Sequence, residues 1–245
     1  MRAEKSGAAQ WPRYGYAVKD LNFTVNECAM NRVMTWGLLL GGEAALAVLV
    51  GATFWYQDAQ YSLPTPRPLE LVQPALGEVV ELPELNHLRV DDIDPRPTLL
   101  HFFNPSCPCS RFNLTHVREL IHEFGPRVKV VAVLQTKQDT TALSEFKQLK
   151  LPCPALVDRQ GNLAQRLGVY STPQAVVLDA QGTLFYRGNY NLSRYCIAPD
   201  SQFVVRALKA CLADEPLPRF EPIAMVAQGC PLPNAAHVVQ EKPAP

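Results

Sequence analysis

Two cysteines stand one residue apart in the stretch HFFNPSCPCSRFN (101–113). Cys107 and Cys109 could form a redox-active pair, hold a soft metal ion, or consist of one reactive thiol beside an inert neighbour. The apolar run TLLHFF (98–103) precedes them and a helical pattern follows, so Cys107 stands where a strand gives way to a helix. Backbone N–H groups and the helix dipole at such a position favour a thiolate. Cys107 is therefore the expected attacking sulfur.

Cys109 is a difficult disulfide partner for Cys107. Their Cα atoms fall within disulfide range, but side chains at positions i and i+2 diverge around a helix. A 107–109 bond would require the first helical turn to loosen and would be easily reduced, which suits catalysis better than structure. Two thiolates also suit Cu(I), although no Met or His stands at a short fixed spacing. The histidines are scattered and typical of surface residues: His87, His101, His116, His122 and His237.

A long apolar segment precedes these cysteines. Residues 33–56 carry one charge, Glu43, and as a helix they span roughly 36 Å, enough to cross a hydrocarbon core. Basic residues cluster before the segment, whereas Arg67 is the one basic residue in the next thirty. The positive-inside rule then predicts a cytoplasmic N-terminus and an outer location for everything after residue 57. No clean small-x-small cleavage site follows, which favours an uncleaved anchor over a signal peptide.

This segment gives a map of the chain. Residues 1–32 are interpreted as a short cytoplasmic tail, or as an artefact of an upstream start, because Met30 opens a short positive region before the apolar run. The anchor (33–56) is followed by a Pro-rich stalk (57–76), a folded domain (77–214) and a Pro-rich tail (215–245).

The cysteine count agrees with an oxidising compartment, and the charge balance limits the partners. Of seven cysteines, Cys28 lies before the anchor, which leaves six outside, an even number for an oxidising space where disulfides persist. Six cysteines allow fifteen pairings, and the sequence does not choose among them. The 23 basic residues balance the 23 acidic ones, so nothing indicates nucleic acid as a partner.

The hydrophobic pattern after residue 77 alternates strands with helices and predicts an α/β fold with a mixed central sheet. A further short strand is allowed within 77–85. The predicted strands are 98–103, 128–134, 154–158, 174–179 and 183–188, and the predicted helices are 111–124, 140–150, 162–168 and 200–213. A stripe of Leu143, Phe146 and Leu149 should face the core, and Cys211 falls on the apolar stripe of the last helix.

The order of elements and three local features resemble the thioredoxin-like superfamily. The features are the strand-to-cysteine turn LLHFFNPSCPCS, the Thr-Pro before a buried strand in GVYSTPQAVVLD, and the hairpin turn LDAQG. The resemblance covers about residues 77–214 and is greatest to membrane-anchored, periplasm-facing proteins of the TlpA and redoxin type. It implies thiol–disulfide exchange without a cofactor, protein thiols and disulfides as partners, and an inner-membrane location with the domain in the periplasm.

The family's roles transfer to particular residues. Cys107 takes the place of the nucleophilic cysteine, and Ser110 stands where the family's second cysteine would be, so the motif is C-P-C-S. The resemblance also implies that the Thr172-Pro173 bond is cis and that the backbone before this proline pairs with the substrate chain.

The thiol that resolves Cys107 stays open between two candidates. Cys109 is the nearer, and Cys196 is the second because the resemblance places its loop at the active-site end of the sheet. Cys153 begins a strand whose far end faces the site, roughly 16 Å away. Cys196 could equally form a structural disulfide with Cys153 or Cys230, and no pattern fixes a partner for Cys230.

Two rival functions use the same residues. A peroxiredoxin-like peroxidase would attack peroxide with Cys107, but that family carries Thr or Ser three residues earlier, where this chain has Asn104. A non-enzymatic module for copper binding or cytochrome assembly would use Cys107 and Cys109 as ligands. Thiol–disulfide exchange is the favoured interpretation, with its direction left open.

Overall fold

The computed structural model describes residues 18–83, 85, 96–135, 139–192 and 199–233. The chain divides into two units, Met1–Tyr56 and Gln57–Pro245. Helix α1 (Val18–Ser62) is longer than the predicted 33–56 because no proline interrupts it before Pro64. Within it, Asn31–Ala59 is long and apolar enough to be a candidate membrane span.

The strands of the second unit are β1 (Thr98–Phe103), β2 (Lys129–Leu134), β3 (Ala155–Val157), β4 (Ser171–Thr172), β5 (Gln174–Leu178), β6 (Leu184–Gly188) and β7 (Cys230–Pro231). Five of them form one sheet in the order β3-β2-β1-β5-β6. Strands β1 and β2 and strands β2 and β3 pair in parallel, whereas β5 runs antiparallel to both β1 and β6. A separate pair of short antiparallel strands joins β4 to β7.

Helices cover both faces of the sheet. One face packs against α3 (Leu114–Phe124), α4 (Asp139–Gln148) and α6 (Phe203–Leu212). The other face packs against α5 (Asn162–Leu167) together with Leu82 and Leu85. This layering and strand order make the unit a thioredoxin-like α/β fold, as the sequence predicted. The remaining helical elements are α2 (Pro108–Phe112), a 3₁₀ turn (Pro199–Ser201) and α7 (Pro222–Met225).

The predicted core face of α4 is only partly correct. Phe146 is buried, but Leu143 is 42% exposed, and Ala142 takes the inward position instead. Ala142 and Phe146 are four residues apart and share one face of the helix, whereas Leu143 lies one position off that face.

The segment after α6 folds back onto the domain. It carries α7 and β7, which the sequence did not predict, because elements of four and two residues show no periodicity. Ala224, Ala227 and Leu232 are buried. The side chain of Asn189 fastens the segment, since its Nδ2 donates hydrogen bonds of 2.7 Å to the carbonyls of Ile223 and Val226.

Candidate functional site

Four of the five site residues predicted from the sequence lie together near the carboxyl end of β1, namely Cys107, Cys109, Thr172 and Pro173. Cys107 follows this strand by a short turn and occupies the N-cap position of α2, with Pro108 as the first helical residue. The Thr172-Pro173 bond is cis, as predicted. It directly precedes β5, whose Gln174 pairs with Phe102 near the end of β1. The nucleophile position and the cis-proline therefore lie at the same edge of the sheet.

Cys107 is joined by a disulfide to Cys230, a residue that the sequence did not assign to the site. The two cysteines are 123 residues apart in the chain and their Cα atoms are 6.8 Å apart. Strand β7 brings Cys230 there, because it pairs with β4 and sets Cys230 opposite Thr172. An even cysteine count outside the anchor is the one sequence signal that bears on this bond, and it names no partner.

A third sulfur lies against this disulfide. The Sγ atoms of Cys107, Cys109 and Cys230 all lie within 4.8 Å of one another. Cys109 is a buried thiol. A thiolate beside a disulfide can attack it and exchange partners without any outside reagent. Once the disulfide is reduced, the same three sulfurs form a soft ligand set, which is the kind that Cu(I) prefers.

The C-P-C-S motif places a hydroxyl, Ser110, where a second thiol would stand. Ser110 is fully buried, and its Oγ lies 2.7 Å from the Oγ1 of Thr172 and accepts a hydrogen bond from the backbone N–H of Asn104. The Thr172 hydroxyl in turn donates to the carbonyl of Phe102 at 3.2 Å. Ser110 thus connects α2 to strand β4, directly before the cis-proline.

A buried histidine lies on the strand that carries the site. The sequence interpretation of the histidines as surface residues is wrong for His101, which is fully buried in the central strand of the sheet. Its Nδ1 lies 2.7 Å from the hydroxyl oxygen of Tyr190, and its Nε2 has no hydrogen-bond partner among the described residues. Burial lowers the pKa of His101 to about 3, so the ring is neutral at physiological pH. His116, predicted to face outward, is half-buried with its pKa also lowered by burial.

We expect this histidine to make folding sensitive to mild acid. Between pH 6.5 and about 3 the unfolded chain binds a proton at His101 and the folded chain does not, so the free energy of unfolding falls as pH falls. The loss should approach about 1.4 kcal/mol per pH unit below pH 6. Urea unfolding of the wild type and of His101→Asn from pH 7 to pH 5 measures it. The variant should have the flatter profile, and parallel profiles would contradict the assignment.

The other cysteines lie apart from the three-sulfur cluster or outside the described residues. Cys196, the second resolving candidate, lies outside the described residues. Cys153 and Cys211 are thiols, and burial raises the pKa of each to about 11, so both are protonated at neutral pH. Cys211 is buried on α6, as predicted.

Solved structures share this architecture. A hypothetical protein from Sinorhizobium meliloti 1021 superposes with a TM-score of 0.53 at 20% identity, covering 66% of this chain and 95% of its own. An uncharacterized conserved protein from Geobacillus kaustophilus also gives 0.53, at 19% identity, covering 75% and 100%. A secreted disulfide oxidoreductase from Mycobacterium tuberculosis gives 0.37 at 20% identity, covering 50% and 84%. At 20% and 19% identity, the likeness to the first two structures concerns the fold.

One sequence comparison identifies a family. No curated protein matches the chain. A family model described as a domain of unknown function (DUF6436) matches residues 80–231, more than half of the chain. The matched range extends past α6 and includes all three cysteines of the site, Cys230 among them. The chain therefore belongs to the DUF6436 family.

Proposed function

We propose that this protein is a membrane-anchored thiol–disulfide oxidoreductase that exchanges electrons through Cys107. The observation that carries the proposal is the Cys107–Cys230 disulfide with the Cys109 sulfur beside it, at the strand-to-helix turn next to a cis-proline. A buried structural disulfide needs no third thiol, whereas exchange chemistry uses one.

The exchange proceeds in two displacements. A substrate thiolate attacks the Cys107 sulfur, the Cys107–Cys230 bond breaks, and Cys230 leaves as a thiolate. A second substrate thiolate then attacks the substrate sulfur of the mixed disulfide, and Cys107 leaves as a thiolate. The substrate dithiol loses two electrons to become a disulfide, and the protein gains them. With a substrate disulfide and the reduced protein, the same steps run in reverse.

Three thiols are candidates for resolving the mixed disulfide on Cys107. Cys230 joins the two predicted from the sequence, because its sulfur is already bonded to Cys107. Cys109 remains a candidate because its sulfur lies within 4.8 Å of both others. Cys196 remains a prediction. Thr172 and Pro173 are proposed to seat the partner chain, since they border the disulfide on the side where β7 now pairs.

We place the folded unit in the periplasm, held to the inner membrane by α1. The candidate span Asn31–Ala59 and the basic residues before it support this orientation. An oxidising compartment also agrees with a disulfide in the resting protein. The partners are then protein thiols and disulfides outside the membrane.

A second candidate function is favoured by the same cluster. Three sulfurs within 4.8 Å of one another, two of them belonging to buried cysteines, would make a compact Cu(I) site after reduction. This is the copper-binding interpretation with Cys230 as the third ligand in addition to Cys107 and Cys109.

Three assays on the full chain in detergent separate these functions. Dithiothreitol-dependent reduction of insulin disulfides, catalysed above the uncatalysed rate, supports exchange. Consumption of hydrogen peroxide at the expense of dithiothreitol supports a peroxidase. Stoichiometric Cu(I) retention by the reduced protein against a chromogenic chelator, with neither activity, would overturn the oxidoreductase proposal in favour of a binding module.

A further inference from the structure

Residues 227–232 form an extended segment with backbone partners on both sides. On one side Cys230 pairs with Thr172, and the Leu232 N–H donates to the carbonyl of Tyr170 at 2.9 Å. On the other side the Thr65 N–H donates to the carbonyl of Ala227 at 2.8 Å. The Thr65 hydroxyl adds a bond of 3.1 Å to the carbonyl of Gly229. The segment therefore fills a slot between β4 and the chain around Thr65.

The slot is narrow at the residue before Cys230. A Cβ atom on Gly229 would collide with the carbonyl of Thr172 and approach Cδ of Pro173 to 3.4 Å. Gly229 also has a φ of +129°, a conformation that residues with side chains rarely adopt. The occupant of this position must therefore be glycine.

The slot has an apolar pocket two residues after Cys230. Leu232 is 1% exposed and packs within the core cluster that α5 and the sheet form together. Burying this side chain removes its apolar surface from water, so Leu232 anchors the strand. Pro231, between Cys230 and Leu232, is exposed and has no N–H to contribute to the strand pairing.

We propose that this slot is a binding site for extended peptides of the pattern Gly-Cys-x-apolar, and that residues 229–232 occupy it as a built-in substitute for substrate. The inference rests on the proposed exchange function. Strand addition supplies backbone hydrogen bonds common to any peptide, and the two constrained positions supply the selection. A cysteine seated opposite Thr172 is held against the Cys107 sulfur, as Cys230 is.

The chemistry of entry follows from this placement. A partner dithiol first reduces the Cys107–Cys230 disulfide by two displacements, becoming a disulfide itself and leaving Cys107 and Cys230 as thiolates. The strand of Cys230 thereby loses its covalent tether to Cys107, and a substrate strand competes for the same backbone partners. The Cys107 thiolate then attacks the sulfur of a peptide whose cysteine is already in a disulfide. A Cys107–peptide disulfide forms and the former partner of the peptide leaves as a thiolate, with no net change in oxidation state.

The test opens the slot and offers three peptides. In full-length Cys230→Ser/Leu232→Asp in detergent, the carboxylate expels the internal strand and Cys107 remains available. The probes are AQGCPLP, AQACPLP and AQGCPDP, each with its cysteine as a mixed disulfide with thionitrobenzoate. Release of thionitrobenzoate gives the rate, and mass spectrometry locates the peptide on Cys107. A second variant, Gly229→Val/Cys230→Ser, expels the strand by steric clash and guards against an unfolded first variant.

The outcomes separate this inference from the exchange proposal. AQGCPLP should react about tenfold or more faster than either altered peptide in a variant that still unfolds cooperatively, because overpacking or a buried charge opposes binding of the others. Equal rates for the three peptides, with Cys107 still reacting with a small aromatic disulfide, would contradict the proposed peptide-binding site. The proposed exchange function would be unaffected by that result. Failure of Cys107 to react with the small disulfide as well would overturn the exchange function itself.

Discussion

We expect Cys107→Ser to abolish insulin reduction and the double variant Cys109→Ser/Cys230→Ser to stop at a covalent complex with its substrate. Without the Cys107 sulfur no mixed disulfide forms. With Cys107 alone in the cluster, attack on a substrate disulfide proceeds, but neither neighbouring thiol can release the product. In Cys107→Ser, dithiothreitol-dependent turnover should fall by about a hundredfold or more, because a required covalent step is lost. The double variant is tested as pre-reduced protein mixed with insulin without free dithiothreitol, because dithiothreitol would itself resolve the complex; release of reduced insulin should then fall by about as much.

Non-reducing electrophoresis distinguishes the two losses. The double variant should shift to a larger species that dithiothreitol dissolves, and Cys107→Ser should not shift. Cys153→Ser is the matched control, because Cys153 is a thiol outside the cluster. The single variants then assign the resolving thiol: a complex that accumulates in Cys230→Ser and not in Cys109→Ser identifies Cys230. A double variant that turns over like the wild type would favour Cys196, and activity in Cys107→Ser would contradict the mechanism.

The position of Cys107 and the elements around it could be predicted because their signals are local. A strand-length apolar run, a cysteine at the start of a helix and a Thr-Pro before a buried strand each occupy a few adjacent residues, and the fold follows from their order. Cys107 therefore stands at the start of a helix, as the sequence predicted, and the bond before Pro173 is cis, as the resemblance to thioredoxin-like proteins implied.

The partner of Cys107 could not be predicted in the same way. Cys230 reaches the site through a two-residue strand 123 positions away, and so short a strand has no periodicity to read. The proline content after residue 215 indicated a tail, whereas Pro222 lies in α7, Pro231 lies in β7, and Ala227 and Leu232 are buried. His101 was misjudged because polarity indicates the surface, and its burial follows only from the central place of β1 in the sheet.

Reduction of the Cys107–Cys230 disulfide is expected to lower the free energy of unfolding by about 4–5 kcal/mol. The bond closes a loop of 123 residues, and a loop of about that length restricts the unfolded chain by this amount in the chain-entropy account. For a unit of this size the midpoint of thermal unfolding should fall by roughly 10–20 °C. Thermal unfolding of the full chain in detergent, with and without dithiothreitol, measures the shift. Cys230→Ser should unfold at a midpoint close to that of the reduced wild type, and dithiothreitol should not change its midpoint.

The same measurement indicates which way electrons flow. In a thermodynamic cycle, any free energy by which the disulfide stabilises the folded state also favours the disulfide over the two thiols in that state. Since about 1.4 kcal/mol corresponds to about 30 mV for a two-electron couple, a gain of 4–5 kcal/mol makes the folded dithiol roughly 100 mV more reducing than the same thiols in the unfolded chain. Such a shift favours donation of electrons to partner disulfides, which is the direction that we propose. A reduced form that melts at or above the oxidised one would reverse the assignment, because the folded state would then favour the thiols and the disulfide would be passed to partners.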